Sequence, residues 1–490
     1  MLQTLKNAWK TKEIRSKIIF TFFILVLYRI GTVIPVPFVN ASSFAGNFGG
    51  TILQYMDTLS GGSLGEATLF ALGVTPYINA SIIIQLLAVV FPKLGELAKD
   101  DKEKMNFITR IVTVVLAVVT GIGYYLLLDQ RGLLANAADP DQNSMAWFYA
   151  IAIIACYVAG ASIIMWLAER INERGIGNGI SIILFANIVA SIPDLIYQLV
   201  NLAVKTYQYD NKAWLFGILS TLFALIVLAV LFATIVFIIW VTGSERRIPV
   251  QYAKRVVGRK MYGGQSSNIP LKLNMTGVMP VIFASSIVSL VPTILQLCQV
   301  SPTGEGFWSG LYRFLAQDGV VYPLMLFILI IAFAYFYTQI TFDPTDVANN
   351  LKKQGGAIPG IRQGRPTADY IRKILNKVTL VGALFLSIIA VTPVILGPHV
   401  IQPFLEWVIG EAYVGIPEAS YPAWYFYGTL PAPYTNMTLA EYETAVSATQ
   451  LSGVFTFGGT SILIVIGVAL ETFRELEAQL TMRNYKGFLN

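Results

Sequence analysis

Ten runs of about 20 residues that are nearly free of charge constrain the fold of this chain more than any other feature. As an α-helix, a run of that length spans roughly 30 Å of hydrocarbon. The 490-residue chain is 55% hydrophobic and 13% charged, with a mean hydropathy of +0.63, whereas soluble domains carry about 25% charged residues. The alternating pattern of outer-membrane strands is absent. We therefore predict an all-α, polytopic membrane protein with spans near 18–37, 72–91, 107–128, 147–168, 179–200, 216–241, 275–295, 322–341, 378–397 and 454–471.

Two of these runs contain nearly the same phrase, GVTPYINAS at Gly73–Ser81 and GVMPVIFAS at Gly277–Ser285. The two runs cross the predicted membrane in opposite directions, as an inverted repeat requires. Such a duplication is typical of channels and transporters. Pro76 and Pro280 remove a backbone donor in each copy, so we expect both helices to bend or begin there.

The repeat also pairs two side chains. Ile78 aligns with Ile282, so a twofold axis in the membrane plane would bring both to equivalent places near the middle. Ile78 and Ile82 share a helix face, and Gln85 follows one turn later. Because an amide in hydrocarbon must face protein or water, we expect this face to look into a cavity; ordinary helix packing is the alternative.

The basic residues predict the orientation. Of the 34 Lys and Arg, 28 fall in one set of loops together with both termini, and four fall in the opposite set. Lys and Arg are retained on the cytoplasmic side, so both termini are predicted to be cytoplasmic. Arg29 lies within a span, and we expect it to be satisfied by snorkelling or pairing.

Two long loops on the cytoplasmic side, residues 243–273 and 342–377, carry seven Lys or Arg each. Clustered positive charge of this kind favours docking of a large anionic partner, such as ribosomal RNA or an acidic protein. Enforcement of topology is the alternative interpretation. On the outer side, residues 397–453 contain no Lys or Arg and five Glu, which indicates a small folded cap or an interfacial belt.

Residues 51–66, between the first two spans, are too short to cross a membrane and too apolar for a free loop. Their apolar side chains recur at helical spacing and are followed by Ser60, Gly61 and Gly62. The pattern predicts a short helix on a glycine hinge, folded back into a cavity. A half-helix lying at the membrane interface is the alternative.

Chemistry at a catalytic or metal centre is not predicted. Cys156 and Cys298 have no metal-ligand spacing around them, and the single histidine, His399, lies outside the predicted spans. No Walker loop, HExxH or GxSxG motif is present. We expect no metal, no cofactor and no enzymatic activity.

Five phrases in order resemble the SecY family of bacterial protein-conducting channel subunits. They are RGIGNGISIILFANIVA (Arg174–Ala190), SERRIPVQYAKRVVGRKMYGGQSSNIPLKLN (Ser244–Asn274), GVMPVIFASSI (Gly277–Ile287), NNLKKQGGAIPGIRQGRPTADYI (Asn349–Ile371) and FGGTSILIVIGVALET (Phe457–Thr472). The resemblance covers nearly everything outside residues 397–453. It implies two inverted five-helix halves, residues 1–200 and 201–490, that hinge between spans five and six and open to lipid between spans two and seven.

The resemblance also implies roles for three groups of residues. A pore ring of branched aliphatic side chains would comprise Ile78, Ile82, Ile180, Leu184, Ile282 and Ile464. A plug helix, about 53–68, would include Leu53, Tyr55, Met56, Leu59, Gly61 and Gly62. A docking surface for the motor ATPase SecA and the ribosome would include Arg246, Arg247, Lys254, Arg255, Arg259, Lys260 and Arg362.

The function implied is the central pore-forming subunit of the Sec channel, which passes unfolded secretory proteins across a bacterial cytoplasmic membrane and releases transmembrane segments into lipid. Implied partners are SecE, SecG, signal peptides and unfolded polypeptides. A secondary transporter with inverted repeats is the alternative. Carriers usually bury charged residues near the midplane, and the predicted spans contain almost none, which favours the channel.

Overall fold

A computed structural model describes the protein in segments. The described residues are 2–39, 56–57, 59–130, 132–134, 146–193, 196–197, 200, 214–252, 255–257, 260–262, 266–298, 300, 306–315, 319, 321–396 and 459–486. Leu53, Tyr55, Lys254 and Arg259 lie outside these residues. The predicted outer segment 397–453 lies outside them as well.

Helices dominate the described residues. In chain order they are α1 (Leu2–Lys10), α2 (Lys12–Gly31), α3 (Thr75–Val90), α4 (Pro92–Asp100), α5 (Lys102–Gln130), α6 (Ala146–Arg174), α7 (Gly179–Ala190), α8 (Trp214–Gly243), α9 (Met279–Leu297), α10 (Phe307–Leu315), α11 (Val321–Thr341), α12 (Pro344–Lys353), α13 (Arg365–Leu396) and α14 (Gly459–Lys486). Each predicted span overlaps one of them.

Six helices within the described residues are long and apolar enough to cross a membrane: α5, α6, α8, α9, α13, and the helical stretch that begins with α11. The second and fifth predicted spans are shorter apolar helices, α3 and α7. The first and tenth correspond to α2 and α14, whose apolar stretches are flanked by charged residues. The all-α membrane class is confirmed, and the number of ten crossings stays a prediction.

The two repeated phrases adopt the same local conformation. Gly73 and Gly277 both have positive φ, +57° and +65°. Each is followed by a valine at the N-cap and a helix with proline in its first turn. Proline is tolerated there because the first amides of a helix have no partner within the helix. The prediction that Pro76 and Pro280 mark helix beginnings is therefore confirmed.

The helices pack in two groups. In the first group α5 contacts α3 and α6, and α6 also contacts α2 and α7; in the second group α13 contacts α11 and α14, and α11 contacts α9. The groups meet where α14 packs against α7 and α1 and where α9 contacts α3 and α5. One large buried cluster contains residues from both groups. A second cluster joins α5 and α6 to residues 64–72.

A small sheet packs against α12 and α13, and the sequence patterns did not predict it. Its strands are β1 (Glu245–Tyr252), β4 (Ser266–Lys272) and β5 (Gly356–Ala357), in the order β4-β1-β5. A hairpin of β2 (Arg255–Val257) and β3 (Lys260–Tyr262) follows β1. Because β1 and β4 belong to the first basic loop and β5 to the second, the sheet joins both loops into one body. Its core includes Ile248, Leu271, Leu351 and Ile371.

Candidate functional site

The predicted ring residues, which we call the waist residues, come from four helices: α3, α7, α9 and α14. Five of the six are at most 5% exposed and belong to the single large cluster: Ile78, Ile82, Leu184, Ile282 and Ile464. The sixth, Ile180, is half-buried and packs against that cluster. The cluster also contains many other side chains, so membership brings the waist residues together without defining a ring.

Local sequence signals place these side chains. Helices α3 and α9 begin at equivalent residues of the repeat, so Ile78 and Ile282 each lie in the first turn of their helix. Helix α7 begins at Gly179 because the side chain of Asn178 accepts a hydrogen bond from the Ile180 amide at 3.1 Å, an N-cap interaction. Residues four apart share a helix face, which puts Ile180 and Leu184 on one side of α7.

The described part of the predicted plug, which we call the plug segment, begins at Met56. Met56, Leu59 and Ser60 are helical, and Gly61 and Gly62 follow with φ of +70° and +85°. The Gly65 amide donates to Asp57 Oδ1 at 2.7 Å. Thr293 Oγ1 of α9 donates to Met56 Sδ at 3.4 Å. The predicted glycine hinge is thus placed in a conformation that other residues adopt only with strain.

Two side chains contact this hinge from the first group of helices. Arg29 of α2 donates from Nη1 to the Gly61 carbonyl at 3.4 Å and from Nη2 to the Ala186 carbonyl at 3.0 Å. Asn187 of α7 donates from Nδ2 to the Leu59 carbonyl at 2.7 Å and to the Tyr28 hydroxyl at 2.9 Å. Arg29 forms no ion pair among the described residues, and two main-chain carbonyls accept hydrogen bonds from it there.

Gln85 is paired by protein groups, and the cavity expected along its helix face stays a prediction. Its Oε1 accepts a hydrogen bond from the Tyr337 hydroxyl of α11 at 2.5 Å, and its Nε2 donates to Ser81 Oγ at 2.9 Å. The amide is satisfied by protein because a polar group in a dry environment costs several kcal/mol when unpaired, roughly 2–7 by transfer measurements. Gln85 thereby links α3 to the other group of helices.

The predicted docking residues are partly placed. Arg246 and Arg247 are exposed on β1, where Arg247 Nε lies 2.7 Å from Glu245 Oε1. Arg362 is exposed in the turn that precedes α13, and its carbonyl accepts from Thr367 Oγ1 at 2.8 Å. Arg255 and Lys260 lie on the hairpin strands β2 and β3. The sheet thus connects the chain segments that carry Arg246 and Arg362.

Two features bear on other chemistry. Within the described residues, no group of three or more His, Cys, Asp or Glu is arranged to hold a metal ion. Cys156 is half-buried and Cys298 is exposed, and both are free thiols. Asn187 is the functional candidate that sequence analysis missed; an amide within the apolar α7 was the available signal, as it was for Gln85 in α3.

Comparison with known proteins decides the family. The SecY family model matches residues 68–411, more than half of the chain. The chain belongs to the SecY family. The protein translocase subunits SecY of Streptomyces galbus and Mycobacterium tuberculosis are 38% and 37% identical to it, with both chains covered over their full length.

Solved structures of the same fold agree with the family. A structure described as a protein conducting channel matches with a TM-score of 0.56 and 16% identity, covering 95% of this SecY chain and 92% of that one. Sec61 from a canine ribosome-channel complex of the endoplasmic reticulum matches with a TM-score of 0.52 and 15% identity, over the same shares. At these identities the likeness shows the fold alone.

Proposed function

We propose that this SecY-family protein is the channel-forming subunit of a protein translocase, which passes unfolded polypeptides across the membrane and releases apolar segments into lipid. Its family membership supports the translocase role. The observation that carries the pore assignment is the meeting of Ile78 and Ile282, equivalent residues of the repeat, with Leu184 and Ile464 in one buried cluster. Residues 1–200 and 201–490 are the proposed halves.

The waist residues can form a seal against ions that still lets a polypeptide of any sequence pass. Branched aliphatic side chains make a constriction that dewets when closed and therefore blocks ions. They offer a passing chain no fixed hydrogen bonds, so no substrate sequence is retained by them. Leu184 has nearly the volume of isoleucine, and such swaps are tolerated best in packed sites. The plug segment closes the pore on the outer side of this waist.

The seam where α3 faces α9 and α11 is the proposed exit to lipid. Helix α3 contacts α9, and the hydrogen bond from Tyr337 to Gln85 crosses the same boundary. A segment of about 20 apolar residues leaves through the open seam because each Leu, Ile or Phe favours the bilayer by about 0.3–0.6 kcal/mol. The hinge of this opening lies between α7 and α8.

The basic surface of Arg246, Arg247 and Arg362 is the proposed docking site for a motor ATPase of the SecA kind and for the ribosome. Arginines bind phosphates and carboxylates with paired donors, and the sheet gives these two loops a common framework. We place this surface and both termini in the cytoplasm of a bacterial cell, with SecE and SecG as membrane partners. The driving force comes from the docked partner.

Crosslinking to a stalled precursor tests the pore. A photoreactive amino acid at Ile78 or Ile282 is expected to capture a secretory precursor arrested in transit through the assembled translocase. Phe232 of α8, which is 68% exposed, is the matched lipid-facing control and is expected to capture lipid only. Capture from Phe232 but from neither isoleucine would refute the pore assignment.

Charge reversal tests the docking surface. Arg362→Glu is expected to weaken binding of the motor ATPase and to lower translocation, while Lys93→Glu, an exposed charge on α4 outside both basic loops, leaves both near the wild-type value. The effect of Arg362→Glu should shrink at high salt, since exposed charges are screened beyond about 8 Å at physiological ionic strength. Equal binding by both variants would remove Arg362 from the surface.

A further inference from the structure

Two polar side chains contact main-chain oxygens at the plug hinge. Arg29 reaches the Gly61 carbonyl and Asn187 reaches the Leu59 carbonyl. Both donors lie near the C-terminal ends of their helices, α2 and α7. We propose that Arg29 and Asn187 form a clamp that holds the plug hinge closed and so sets how often the resting channel opens. The inference rests on the proposed pore function.

Because the clamp is buried, the loss of its hydrogen bonds would cost free energy. Asn187 and Tyr28 are fully buried, and the Tyr28 hydroxyl accepts a hydrogen bond from Asn187, which fixes the amide group toward Leu59. The Asn187 Oδ1 atom has no hydrogen-bond partner among the described residues. A buried amide that loses its acceptor carries the full desolvation penalty, so the plug must supply that acceptor in the closed state.

Arg29 adds a charged bond to the same site. A guanidinium presents several donors in a rigid fork, and here the fork joins the hinge carbonyl of Gly61 to the α7 carbonyl of Ala186. Hydrogen bonds from an ionised group are roughly twice as strong as neutral ones. The fork therefore ties the hinge to α7, the helix that also carries Asn187.

The clamp binds only main-chain atoms of the plug. Side-chain changes along the plug leave both contacts in place, whereas a change in the path of the hinge removes them. Substitutions at Gly61 and Gly62 distinguish a change that reaches the clamp from one that does not. A Cβ atom added to Gly61 would lie 2.9 Å from Asn187 Oδ1 and 3.0 Å from Arg29 Nη1, and a Cβ atom added to Gly62 would have no atom within 4 Å. Both positions have positive φ, so backbone strain is common to the two.

The remainder of the plug segment is held by other contacts. The hydroxyl of Tyr124 on α5 donates to the Leu64 carbonyl, and Leu64 and Ala67 lie in the second buried cluster. Residues after the hinge are therefore fixed to α5 and α6. Release of Arg29 and Asn187 frees the part before the hinge, which contains Met56 and Leu59, to move about Gly61 and Gly62.

The test uses the full chain in its assembled translocase, reconstituted in vesicles without substrate. Asn187→Leu and Arg29→Met are each expected to raise the resting ion leak about tenfold, which corresponds to about 1.4 kcal/mol, while a precursor with a functional signal sequence still crosses. Arg29→Lys keeps the charge but cannot span both carbonyls, so a smaller increase is expected. Ser181→Ala is the control, because this buried hydroxyl of α7 has no hydrogen-bond partner among the described residues.

A second readout reports the plug directly. Met56→Cys and Thr293→Cys, with Cys156 and Cys298 replaced by serine, place thiols where the side chains now touch. A short bifunctional thiol reagent is expected to link them in the resting wild-type background and to link them less in the two clamp variants. Unchanged linking and unchanged leak in both variants would overturn the clamp.

Substitutions of Gly61 and Gly62 test the clamp even if Asn187→Leu or Arg29→Met does not fold. Gly61→Ala is expected to raise the leak well above that of Gly62→Ala, because only the first displaces the clamp side chains. Equal leaks would overturn the inference even if Asn187→Leu never assembles.

A waist variant separates failure of the clamp from failure of the pore assignment. If Ile464→Asn leaks while the clamp variants do not, the clamp alone fails. If the wild-type vesicles pass no precursor and Ile464→Asn does not leak, the pore assignment itself fails.

Discussion

The Tyr337 hydroxyl on α11 lies 2.5 Å from Gln85 Oε1 on α3 and joins the two groups of helices. Around it, the ring of Tyr337 contacts Phe283 at 5.0 Å and Phe336 at 5.5 Å between centroids. Ser81 accepts the amide N–H of Gln85 from one turn away. The bond therefore holds the proposed seam at one defined point, and an opening wide enough for a helix must break it.

Removal of this hydroxyl is expected to lower the apolarity that a segment needs for release into lipid. In Tyr337→Phe the seam loses one neutral hydrogen bond, worth about 1 kcal/mol, while the ring contacts remain. The measurement is the inserted fraction of a graded series of test segments with increasing leucine content. The midpoint of that series should shift toward fewer leucines by about two residues, given about 0.3–0.6 kcal/mol for each.

Tyr335→Phe is the matched control for this prediction. Tyr335 lies two residues before Tyr337 on α11. Its hydroxyl donates to the Asn376 carbonyl of α13 at 3.1 Å, a contact within one group of helices. The midpoint should not move in this variant. A shift of the same size in both variants would mean that the seam is not held by Gln85.

Hydration of the waist is expected to make the channel permissive. Ile464→Asn places an amide among the waist residues, where Ile464 is now 1% exposed, and a polar constriction no longer dewets. Ion leak should rise, and precursors with defective signal sequences should cross. Ile464→Leu conserves volume and should keep the seal. Selectivity that stays unchanged in Ile464→Asn would contradict a role of this residue in closure.

The membrane helices and the repeat were predictable because both depend on patterns within the sequence. Apolar runs of membrane length identify helices, since only helices satisfy their backbone inside lipid without neighbours. The phrases that begin at Gly73 and Gly277 repeat the residues that start each helix, and the structure has both helices beginning there. The prediction succeeded at these two helix beginnings because local chemistry determines the conformation there.

Contacts between distant segments were not predictable from these patterns. Asn187 meets Leu59 across 128 positions of sequence, and nothing in either phrase specifies the pair. Gln85 pairs with Tyr337 of another helix, and the pattern within α3 does not specify that partner. The strands were missed because their alternation is short, as in the buried Ile248 and Val250 of β1. The pairing of β1 with β5 joins two separate loops.

The cap of α12 predicts a pH dependence in the second basic loop. The Asp343 carboxylate accepts a hydrogen bond from the Thr345 amide at 2.7 Å, and this bond lowers the pKa of Asp343 below its ordinary value. The cap is therefore present at neutral pH and is lost as the pH falls through the lowered value. Amide-exchange protection of residues 344–353 should decrease on acidification. Asp343→Asn, which caps without a charge, should show a smaller decrease, and an equal decrease would assign the effect to another group.

A methyl group at the beginning of α14 is expected to disturb both stability and closure. A Cβ atom added to Gly459 would lie 1.8 Å from the Ile389 carbonyl oxygen of α13, so Gly459→Ala must separate the two helices. Overpacking of this kind costs about 1–3 kcal/mol, and the melting temperature of the purified complex should fall. Because Ile464 follows on the same helix, the resting ion leak should rise as well.

Gly310→Ala is the control, because Gly310 is a helical glycine with no atom within 4 Å of the added Cβ. It should leave both values unchanged or raise the melting temperature slightly, since alanine favours helix by about 1 kcal/mol. A lower melting temperature without added leak would separate the packing of α14 from the position of Ile464.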